Sequence, residues 1–497
     1  MEHLYDKLRE YAEGDDYPLH MPGHKRRTFG ALPKELFSMD ITEIPDFDDL
    51  HAPEGVIRSL QERVARLYGA DESFVLVGGS TAGILSAIST AVPEGGRLLM
   101  ARNCHKSAYH AAYLRNLKVT YLLPQMVPGF GICDGLRPEQ VQRALEQDPS
   151  IQAVLIVSPT YEGRISPVRE IADVVHSFQK ILIVDEAHGA HLGLPGSSME
   201  NSCQAGADLV IHSVHKTLPA MTQTALLHVN GPRVDRERLK RFLRIYQSSS
   251  PSYVLMASID NAITMMERDG ERLQNQLCEF FLELQRSLSA CKHLRFLNSF
   301  ENAEGASFSE ADQAREGVST CRQDVGKLVI CAGNSGLTGQ QIYDLLREKY
   351  HLQLEMAAEE YCLAMFTVGD EPSGYQRMRD ALLAIDAGVE EMAAHAKSAC
   401  QIGMQDGTIA LLPECRMSLR KAWDGEWEEV PIEECVGRIA AEFVNLYPPG
   451  TPMVVPGEVY DKRIREELLT ALSMDLRVRG TSDVGGVKTV RCLKTIY

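Results

Sequence analysis

Two apolar stretches each lead into a residue that can take part in covalent chemistry. The first, ILIVDEAHGAH, places Asp185 directly after four apolar residues, and the second, ADLVIHSVHKT, carries Lys216 near its end. A lysine amine can form an imine with an aldehyde cofactor, and a buried carboxylate can keep a ring nitrogen of that cofactor protonated. Pyridoxal phosphate (PLP) needs both groups, so the pair predicts a PLP site with Lys216 as the Schiff-base lysine.

Each of these two residues alone has an ordinary explanation. Asp185 could cap a helix, and Lys216 could be a solvated surface lysine. A charge that directly follows a buried apolar run is tolerated only if it is paired. The position of both residues at successive strand ends therefore favours the PLP interpretation.

A second group of residues suits the phosphate of that cofactor. The stretch GGSTAGILSAIST places Gly79, Ser80 and Thr81 at the start of an apolar helix, where free N–H groups and the helix dipole attract phosphate. Ser213 and His215, which flank the lysine, can donate further hydrogen bonds to a phosphate dianion. An N-cap formed by Ser80 or Thr81 would explain the hydroxyls but not the consecutive glycines.

These residues need a sheet to position them. Apolar runs separated by helical or linking segments predict a mostly parallel, seven-stranded sheet that is buried on both faces. The predicted strands are 74–77, 97–101, 119–123, 153–157, 181–184, 209–212 and 225–229. Ligands bind beyond the carboxyl ends of such strands, which is where GGSTAG, RNCHKS, SPTYEG, DEAH and HSVHK occur.

Four motifs carry a resemblance to a known family: HSVHKT, VDEAHGAHLG, MPGHKRR and the late NLYPPGTPMVVPGE. The sequence resembles the ornithine/lysine/arginine decarboxylases of the PLP fold-type-I class from about residue 15 to near its C-terminus. It is similar to the shorter members, because the chain begins almost directly at MPGHK with no room for an extra N-terminal wing domain. The resemblance implies PLP as cofactor and a homodimer.

The resemblance also implies roles for individual residues. His105, at a neighbouring strand end, would stack on the cofactor ring, Ala187 would pack against its opposite face, and His188 would reach the cofactor or the substrate carboxylate. Weaker candidates are Thr160 and Tyr161 near the cofactor O3′; His24, Lys25, Asp48, Asp49 and His51 in an arm near the active site; and Glu162 and Glu458 as acids for a cationic substrate. Glu458 could equally be an acid at a helix N-terminus.

The predicted organisation is an N-terminal arm (1–58), a large PLP-binding domain (59–255), a small α/β domain (256–400) and a C-terminal α+β domain (405–497). A helix is predicted from residue 59 to 68, long helices after about residue 250, and another helix over 374–396. The loop SSSPSY, which precedes the long helices, is expected to approach the phosphate across a dimer interface.

Composition narrows the class of protein. A 44% hydrophobic and 24% charged content is ordinary for a globular enzyme, and a net charge of −17 argues against a nucleic-acid partner. The 12 cysteines form no CxxC pair, which favours reduced thiols in a cytoplasm over a disulfide scaffold or a zinc site. No apolar run approaches the roughly 18 residues of a membrane span.

Three local motifs suggest other functions. DEAH is found in helicases, but the phosphate loop GxxxxGK[ST] is missing, and S-x-x-K at Ser213–Lys216 lacks the K-T-G partner of penicillin-binding enzymes. His188 and His191 lack a clear third metal ligand, so no metal is predicted.

The sequence thus predicts PLP-dependent decarboxylation of arginine, lysine or ornithine. Another fold-type-I reaction, such as transamination or a lyase step, and a non-catalytic PLP-binding relative remain as alternatives.

Overall fold

The computed structural model describes residues 3–14, 17–27, 33–297, 321–393, 412–446, 452–473 and 478–494. Up to residue 250 the helices are α1 (Leu4–Glu13), α2 (Lys34–Ser38), α3 (Val56–Tyr68), α4 (Gly79–Ala91), α5 (Lys106–Leu114), α6 (Pro138–Gln147), α7 (Val168–Ser177), α8 (Val214–Thr217) and α9 (Arg236–Tyr246). The strands in this part are β1 (Glu72–Leu76), β2 (Arg97–Ala101), β3 (Lys118–Leu122), β4 (Met126–Val127), β5 (Ile132–Cys133), β6 (Ala153–Val157), β7 (Arg164–Ile165), β8 (Ile181–Asp185), β9 (Leu209–His212) and β10 (Ala225–Val229).

Seven of these strands form the large sheet, in the order β1-β10-β9-β8-β6-β2-β3. Neighbours are parallel except at β10, which runs antiparallel to both β1 and β9. The apolar runs form strands here because helices cover both faces of the sheet and shield its central strands from water, whereas the edge strand β3 is only partly buried. The predicted mostly parallel seven-stranded sheet is confirmed, and each strand lies within two residues of its predicted place.

The second half of the chain adds helices α10 (Tyr253–Leu288), α11 (Gly339–Tyr350), α12 (Pro372–Ala393), α13 (Leu419–Trp423) and α14 (Lys462–Ser473). Its strands are β11 (Arg295–Phe296), β12 (Arg322–Gln323), β13 (Lys327–Cys331), β14 (Met356–Ala357), β15 (Tyr361–Met365), β16 (Trp427–Pro431), β17 (Val444–Leu446), β18 (Pro452–Val454), β19 (Val478–Arg479), β20 (Thr481–Val484) and β21 (Val487–Leu493). A 3₁₀ turn covers Ile432–Glu434.

One continuous helix links the first half of the chain to the second. In place of the several long helices predicted after about residue 250, the structure has the single 36-residue helix α10. The predicted domain boundary after residue 255 falls within its first turn, and the boundary between 400 and 405 lies outside the described residues. The predicted helix over 374–396 is α12, and the helix predicted from residue 59 is α3, which begins three residues earlier, at Val56.

The small domain and the C-terminal segment each have their own antiparallel sheets. The small domain has a four-stranded sheet in the order β11-β13-β15-β14, and β12 pairs with β7 beside the large sheet. The C-terminal segment has two three-stranded sheets, β16-β21-β20 and β18-β17-β19, with helix α14 packed on them. Pairing of β12 with β7 brings the start of the small domain close to the carboxyl ends of the large-sheet strands.

None of the helices in the described ranges is both long enough and apolar enough to span a membrane.

Candidate active site

Asp185 and Lys216 lie at the ends of two adjacent parallel strands. Strand β8 ends at Asp185, and the short helix α8, which follows β9, carries Lys216. The Lys216 Nζ atom lies 3.0 Å from Nε2 of His188, and the Ala187 N–H donates a hydrogen bond to Asp185 Oδ1 at 3.2 Å. The structure therefore brings together four of the residues that the sequence assigns to the cofactor ring.

Burial controls the ionisation of this pair. Burial raises the pKa of the Asp185 carboxyl, and the charge of Lys216 and the Ala187 N–H only partly oppose it. Burial likewise lowers the pKa of the Lys216 amine, against the charges of Asp185 and Glu355. A lowered pKa keeps more of the amine in its neutral, nucleophilic form. A cationic ring nitrogen beside Asp185 would restore the ionised carboxylate.

His105 is held at the start of helix α5 as its N-cap. Its Nδ1 accepts a hydrogen bond from the Ser107 N–H at 3.3 Å and lies 2.8 Å from Ser107 Oγ. His105 is exposed to the open pocket, and partial desolvation by the pocket walls, followed by the charges of Lys216 and Lys106, lowers its pKa to about 4. The imidazole is therefore neutral, and the helix cap fixes its orientation, as a ring that stacks on a flat cofactor requires.

The N-terminus of helix α4 offers unpaired backbone N–H groups. Gly78 is the N-cap and supplies no capping side chain, and Ser80 and Thr81 lie within the first turn, so neither of them caps the helix. Gly79 has a φ of +70°, a backbone conformation that glycine adopts without strain. The free N–H groups and the helix dipole make this turn a ready anion site.

Ser213 is the N-cap of helix α8 and His215 lies in its first turn; the loop after α8 contacts the start of α4. The Ser213 hydroxyl is buried, and no described residue lies within hydrogen-bond distance of it. His215 Nδ1 donates a hydrogen bond to the carbonyl of Thr224 at 2.8 Å, which leaves Nε2 available. The adjacent Gln223 carbonyl would lie 3.9 Å from a Cβ placed on Gly79, so this loop and the start of α4 are close neighbours.

Two residues of the small domain join the site, and sequence analysis did not find them. Lys327, at the start of β13, places its Nζ 3.3 Å from His188 Nδ1. Glu355 accepts a hydrogen bond from the Tyr161 hydroxyl. Its negative charge opposes the effect of burial, which lowers the pKa of both Lys216 and Lys327. The Tyr161 ring also packs edge-on against His188, with 4.8 Å between ring centroids. Neither Lys327 nor Glu355 stands in a motif, so no local signal marks it.

The structure corrects two of the predicted substrate acids. Glu458 is 2% exposed and forms a two-pronged ion pair with Arg102, with both N–O distances at 2.8 Å, so its carboxylate is not available to a substrate. Asp48 accepts hydrogen bonds from four backbone N–H groups around the start of α3 and from the N–H of Asp49, and these hold its pKa low although burial would raise it. The Asp48 carboxylate therefore caps α3 from outside the helix, whose N-cap residue is Gly55.

Other candidates of the arm also have structural partners. Asp49 accepts a hydrogen bond from the His51 N–H, and His51 Nε2 lies 2.8 Å from the Ser248 carbonyl, which ties the arm to the predicted SSSPSY loop. His24 pairs with Asp40 at 3.1 Å, and Lys25 donates to the His20 carbonyl.

Three further candidates lie deeper, beside the site. Thr160 is buried and accepts a hydrogen bond from the Arg164 N–H, and Glu162 accepts one from the Tyr361 hydroxyl. His191 Nε2 pairs with Asp324 at 3.0 Å, so it faces a carboxylate of the small domain. The described residues contain no group of three or more metal-ligating side chains.

PLP fits the residues that are present. The free N–H groups of α4 and the unpartnered Ser213 hydroxyl can receive a phosphate, and Ala187 is the one described residue that donates to the Asp185 carboxylate. That carboxylate can thus pair with a pyridine nitrogen, while Lys216 can bond to the aldehyde carbon.

Comparisons with known proteins agree with this chemistry. The family model for the Orn/Lys/Arg decarboxylase major domain matches residues 2–372, and the model for the C-terminal domain of the same family matches residues 403–489. An arginine decarboxylase of Bacillus subtilis is 30% identical over 491 residues, which cover 97% of this chain and 95% of that protein.

Solved structures share the fold. The lysine decarboxylase LdcF of Francisella novicida superposes with a TM-score of 0.83 at 17% identity, covering 99% of this chain and 81% of that one. A serine palmitoyltransferase from S. paucimobilis with bound PLP superposes with a TM-score of 0.50 at 16% identity, covering 67% of this chain and 76% of that one. The predicted fold class, a fold-type-I PLP enzyme, is confirmed. With both domain models matched in order along most of its length, this chain belongs to the Orn/Lys/Arg decarboxylase family.

Proposed function

We propose that this enzyme is a PLP-dependent decarboxylase that converts arginine, lysine or ornithine into CO2 and agmatine, cadaverine or putrescine, respectively. The observation that carries the proposal is the pairing of the buried Asp185 with the half-buried Lys216 beyond adjacent strand ends, with His188 Nε2 3.0 Å from the lysine amine. The membership of the chain in the Orn/Lys/Arg decarboxylase family supports the same reaction.

Each residue of the site has one task in this proposal. When bound, PLP supplies a ring that accepts the electrons left behind as CO2 departs. Lys216 would hold the cofactor through its aldehyde carbon, and Asp185 would keep the ring nitrogen protonated. His105 and Ala187 would lie on the two faces of the ring, and Gly79, Ser80, Thr81, Ser213 and His215 would hold the phosphate.

Glu355 is the acid that we assign to the cationic end of the substrate. It is exposed, unlike Glu458 and Glu162, and its charge acts on Lys216, so it lies where a substrate would enter. The net charge of −17 also favours the approach of a cation. An ion pair at the distal end positions the reacting end of the substrate.

The test is CO2 release by the purified, PLP-loaded protein with lysine, arginine and ornithine supplied separately, and with amine products identified by mass. We expect release with at least one of them, and none with Lys216→Ala, which also loses the absorbance of lysine-bound PLP. A keto acid formed without CO2 would instead assign the protein to the transaminating members of the fold class. Activity retained in Lys216→Ala would refute the site.

We further propose that the enzyme is a homodimer in the cytoplasm. The N-terminal arm exposes three large apolar side chains within five residues, Tyr17 (73%), Leu19 (87%) and Met21 (63%), which a second subunit would cover. A monomer in sedimentation at micromolar concentration would refute the dimer.

A further inference from the structure

Lys327 is a buried lysine that lies outside every motif of the sequence. It begins strand β13 of the small domain and is 1% exposed. Its side chain packs on Gly163, where a Cβ would come within 2.6 Å of Lys327 Cγ, so the glycine makes room for it. A buried ammonium is costly unless it is paired. The residue therefore calls for an explanation beyond packing.

The hydrogen bonds of this lysine lead to the active site. Its Nζ lies 3.3 Å from His188 Nδ1, and His188 Nε2 lies 3.0 Å from Lys216 Nζ. Within the described residues no carboxylate comes within salt-bridge distance of Lys327; Asp324, Glu162 and Glu355 act on it only from farther away. The imidazole thus bridges two lysines in an unbroken chain.

The donors and acceptors of this chain restrict where its protons lie. Burial, and then the charges of Lys216 and Lys327, hold the pKa of His188 well below its ordinary value, so the imidazole is neutral and carries one N–H. A charged Lys327 has no lone pair, so it must donate to Nδ1. The imidazole proton then lies on Nε2 and points at Lys216.

We propose that Lys327 is the source of the proton that replaces CO2 at the substrate Cα, and that it delivers this proton through His188 and Lys216. Lys216, released as a neutral amine when the substrate binds, takes the proton from His188 Nε2. His188 in turn takes the Lys327 proton at Nδ1. Lys216 then gives its proton to Cα, where the C–C bond has left its electron pair.

These proton transfers balance for a decarboxylation. One proton moves from Lys327 to Cα, His188 changes from the Nε2–H to the Nδ1–H tautomer, and Lys216 ends as the neutral amine that can bond to the cofactor again. After the product leaves, His188 returns its Nδ1 proton to Lys327 and takes a proton from water at Nε2, which restores the charged lysine and the Nε2–H tautomer. The inference rests on the proposed function, because decarboxylation is what creates the demand for a proton at Cα.

The charges around Lys327 set the pH range in which Lys327 can supply a proton. Burial lowers the pKa of Lys327 to about 8, with Lys216 acting in the same direction and Asp324, Glu355 and Glu162 acting against it. Lys327 is therefore charged at neutral pH yet able to give up its proton. Above about pH 8 the free enzyme loses this proton, and turnover should fall.

Three variants test the proposal. Lys327→Met removes the proton and the charge, Lys327→Arg keeps the charge but cannot release a proton, and Lys349→Met removes an exposed lysine of the same domain as a control. We expect Lys327→Met and Lys327→Arg to lower kcat by about 100-fold with little change in KM. We also expect more aldehyde, which would form where the proton misses Cα: water would supply the aldehyde oxygen, and the cofactor would keep the amino nitrogen.

A second readout needs neither cofactor nor activity. The ¹⁵N signals of the His188 ring in the apo protein, assigned by their loss in His188→Gln, report which nitrogen carries the proton. At pH 7 we expect a smaller Nε2–H fraction in Lys327→Met than in the wild type, Lys327→Arg and Lys349→Met, because only the charge at position 327 donates to Nδ1. A cooperative denaturant unfolding curve for each variant confirms that the variant is folded.

The outcomes separate this inference from the function on which it rests. A wild type that decarboxylates, together with a Lys327→Met variant of unchanged kcat or unchanged His188 tautomer, overturns the role of Lys327 alone. A wild type that releases no CO2 from any of the three amino acids overturns the proposed function, and the delivery to Cα with it.

Discussion

Individual buried charges carry the chemistry of this protein. Asp185 is buried, Lys216 is half-buried, and each shifts the ionisation of the other. Burial raises the pKa of an acid and lowers that of an amine, so both groups are nearer to neutral than they would be in water. The site is therefore prepared to change charge when a cationic cofactor ring arrives.

Replacing Asp185 with Asn tests the role of its charge. We expect Asp185→Asn to keep PLP bound, because the lysine and the phosphate site remain, but to lower kcat by about 100-fold since the ring nitrogen is no longer held protonated. Absorbance of the bound cofactor and amine formation are the measurements, with the exposed Asp173→Asn as control. Unchanged kcat would refute the assignment of Asp185.

A second set of buried ionisable residues lies directly behind Asp185. Glu186 Oε2 lies 2.7 Å from His212 Nε2, His212 Nδ1 lies 3.0 Å from His228 Nε2, and His228 Nδ1 lies 2.7 Å from Ser73 Oγ. Burial raises the pKa of Glu186 to about 8 and lowers that of His212 to about 3. If Glu186 is protonated and donates to a neutral His212, each hydrogen bond from Glu186 to Ser73 has one donor and one acceptor.

This chain predicts a pH dependence of stability. Because the pKa of Glu186 is higher in the folded protein than in the unfolded chain, the folded state binds the extra proton, and stability falls as pH rises towards and through 8. From pH 7 to pH 8 the loss is about 1 kcal/mol. Glu186→Gln, which imitates the protonated acid, should remove this loss in urea titrations at the two pH values. An identical loss in the variant would contradict the proposed protonation state.

Helix α4 determines where a phosphate can bind. Gly83 faces the sheet, and a Cβ at this position would come within 2.8 Å of Leu76 Cδ1 and 3.1 Å of Ile211 Cγ2. The lack of a side chain lets the helix lie close to β1 and β9. The N-terminus of α4 is thereby held near Ser213 and His215 at the start of α8.

Gly83→Ala should move this helix away from the sheet. We expect a loss of about 1–3 kcal/mol in the free energy of unfolding from overpacking, and a Kd for PLP that is raised about tenfold by the displaced N-terminus. Ser86→Ala is the matched control, because it deletes a buried hydroxyl that has no described partner in the same helix. If Gly83→Ala binds PLP like the wild type, the position of α4 does not limit cofactor binding.

A buried ion pair joins the C-terminal segment to the large domain. Arg102 follows strand β2, and its guanidinium contacts both carboxylate oxygens of Glu458, the Met453 carbonyl and the face of Tyr121, 4.8 Å from the ring centroid. The Val455 N–H also donates to Glu458 at 2.8 Å. The contact holds segments that are 356 residues apart in the chain.

Loss of one partner of this pair should destabilise the whole molecule. Glu458→Ala leaves Arg102 buried without its carboxylate, and we expect a loss of about 3–5 kcal/mol in the free energy of unfolding. The double variant Arg102→Met with Glu458→Met should lose less, because no charge remains buried. Glu426→Ala, which breaks an exposed pair with Lys494, should change stability by less than about 1 kcal/mol. Urea unfolding measures all three, and a small loss in Glu458→Ala would show that water reaches Arg102.

Local sequence was enough to find the sheet and the centre of the site. The strands are continuous apolar runs, and such runs can be buried on both faces only inside a covered sheet. Parallel strands place their carboxyl ends at one edge, so Asp185 and Lys216 had to meet near that edge whatever the rest of the chain did. The same logic applies to Gly79 and Ser213.

Long-range packing decided the remaining roles. Lys327 and Glu355 reach the site from the small domain, more than 100 residues after Lys216, and their neighbours in sequence give no sign of it. Glu458 and Asp48 looked like free acids because a carboxylate is identical in sequence whether it meets a substrate, an arginine or a helix N-terminus. Only the folded chain fixes that partner, since a buried charge must be paired and its partner can come from any distance along the chain.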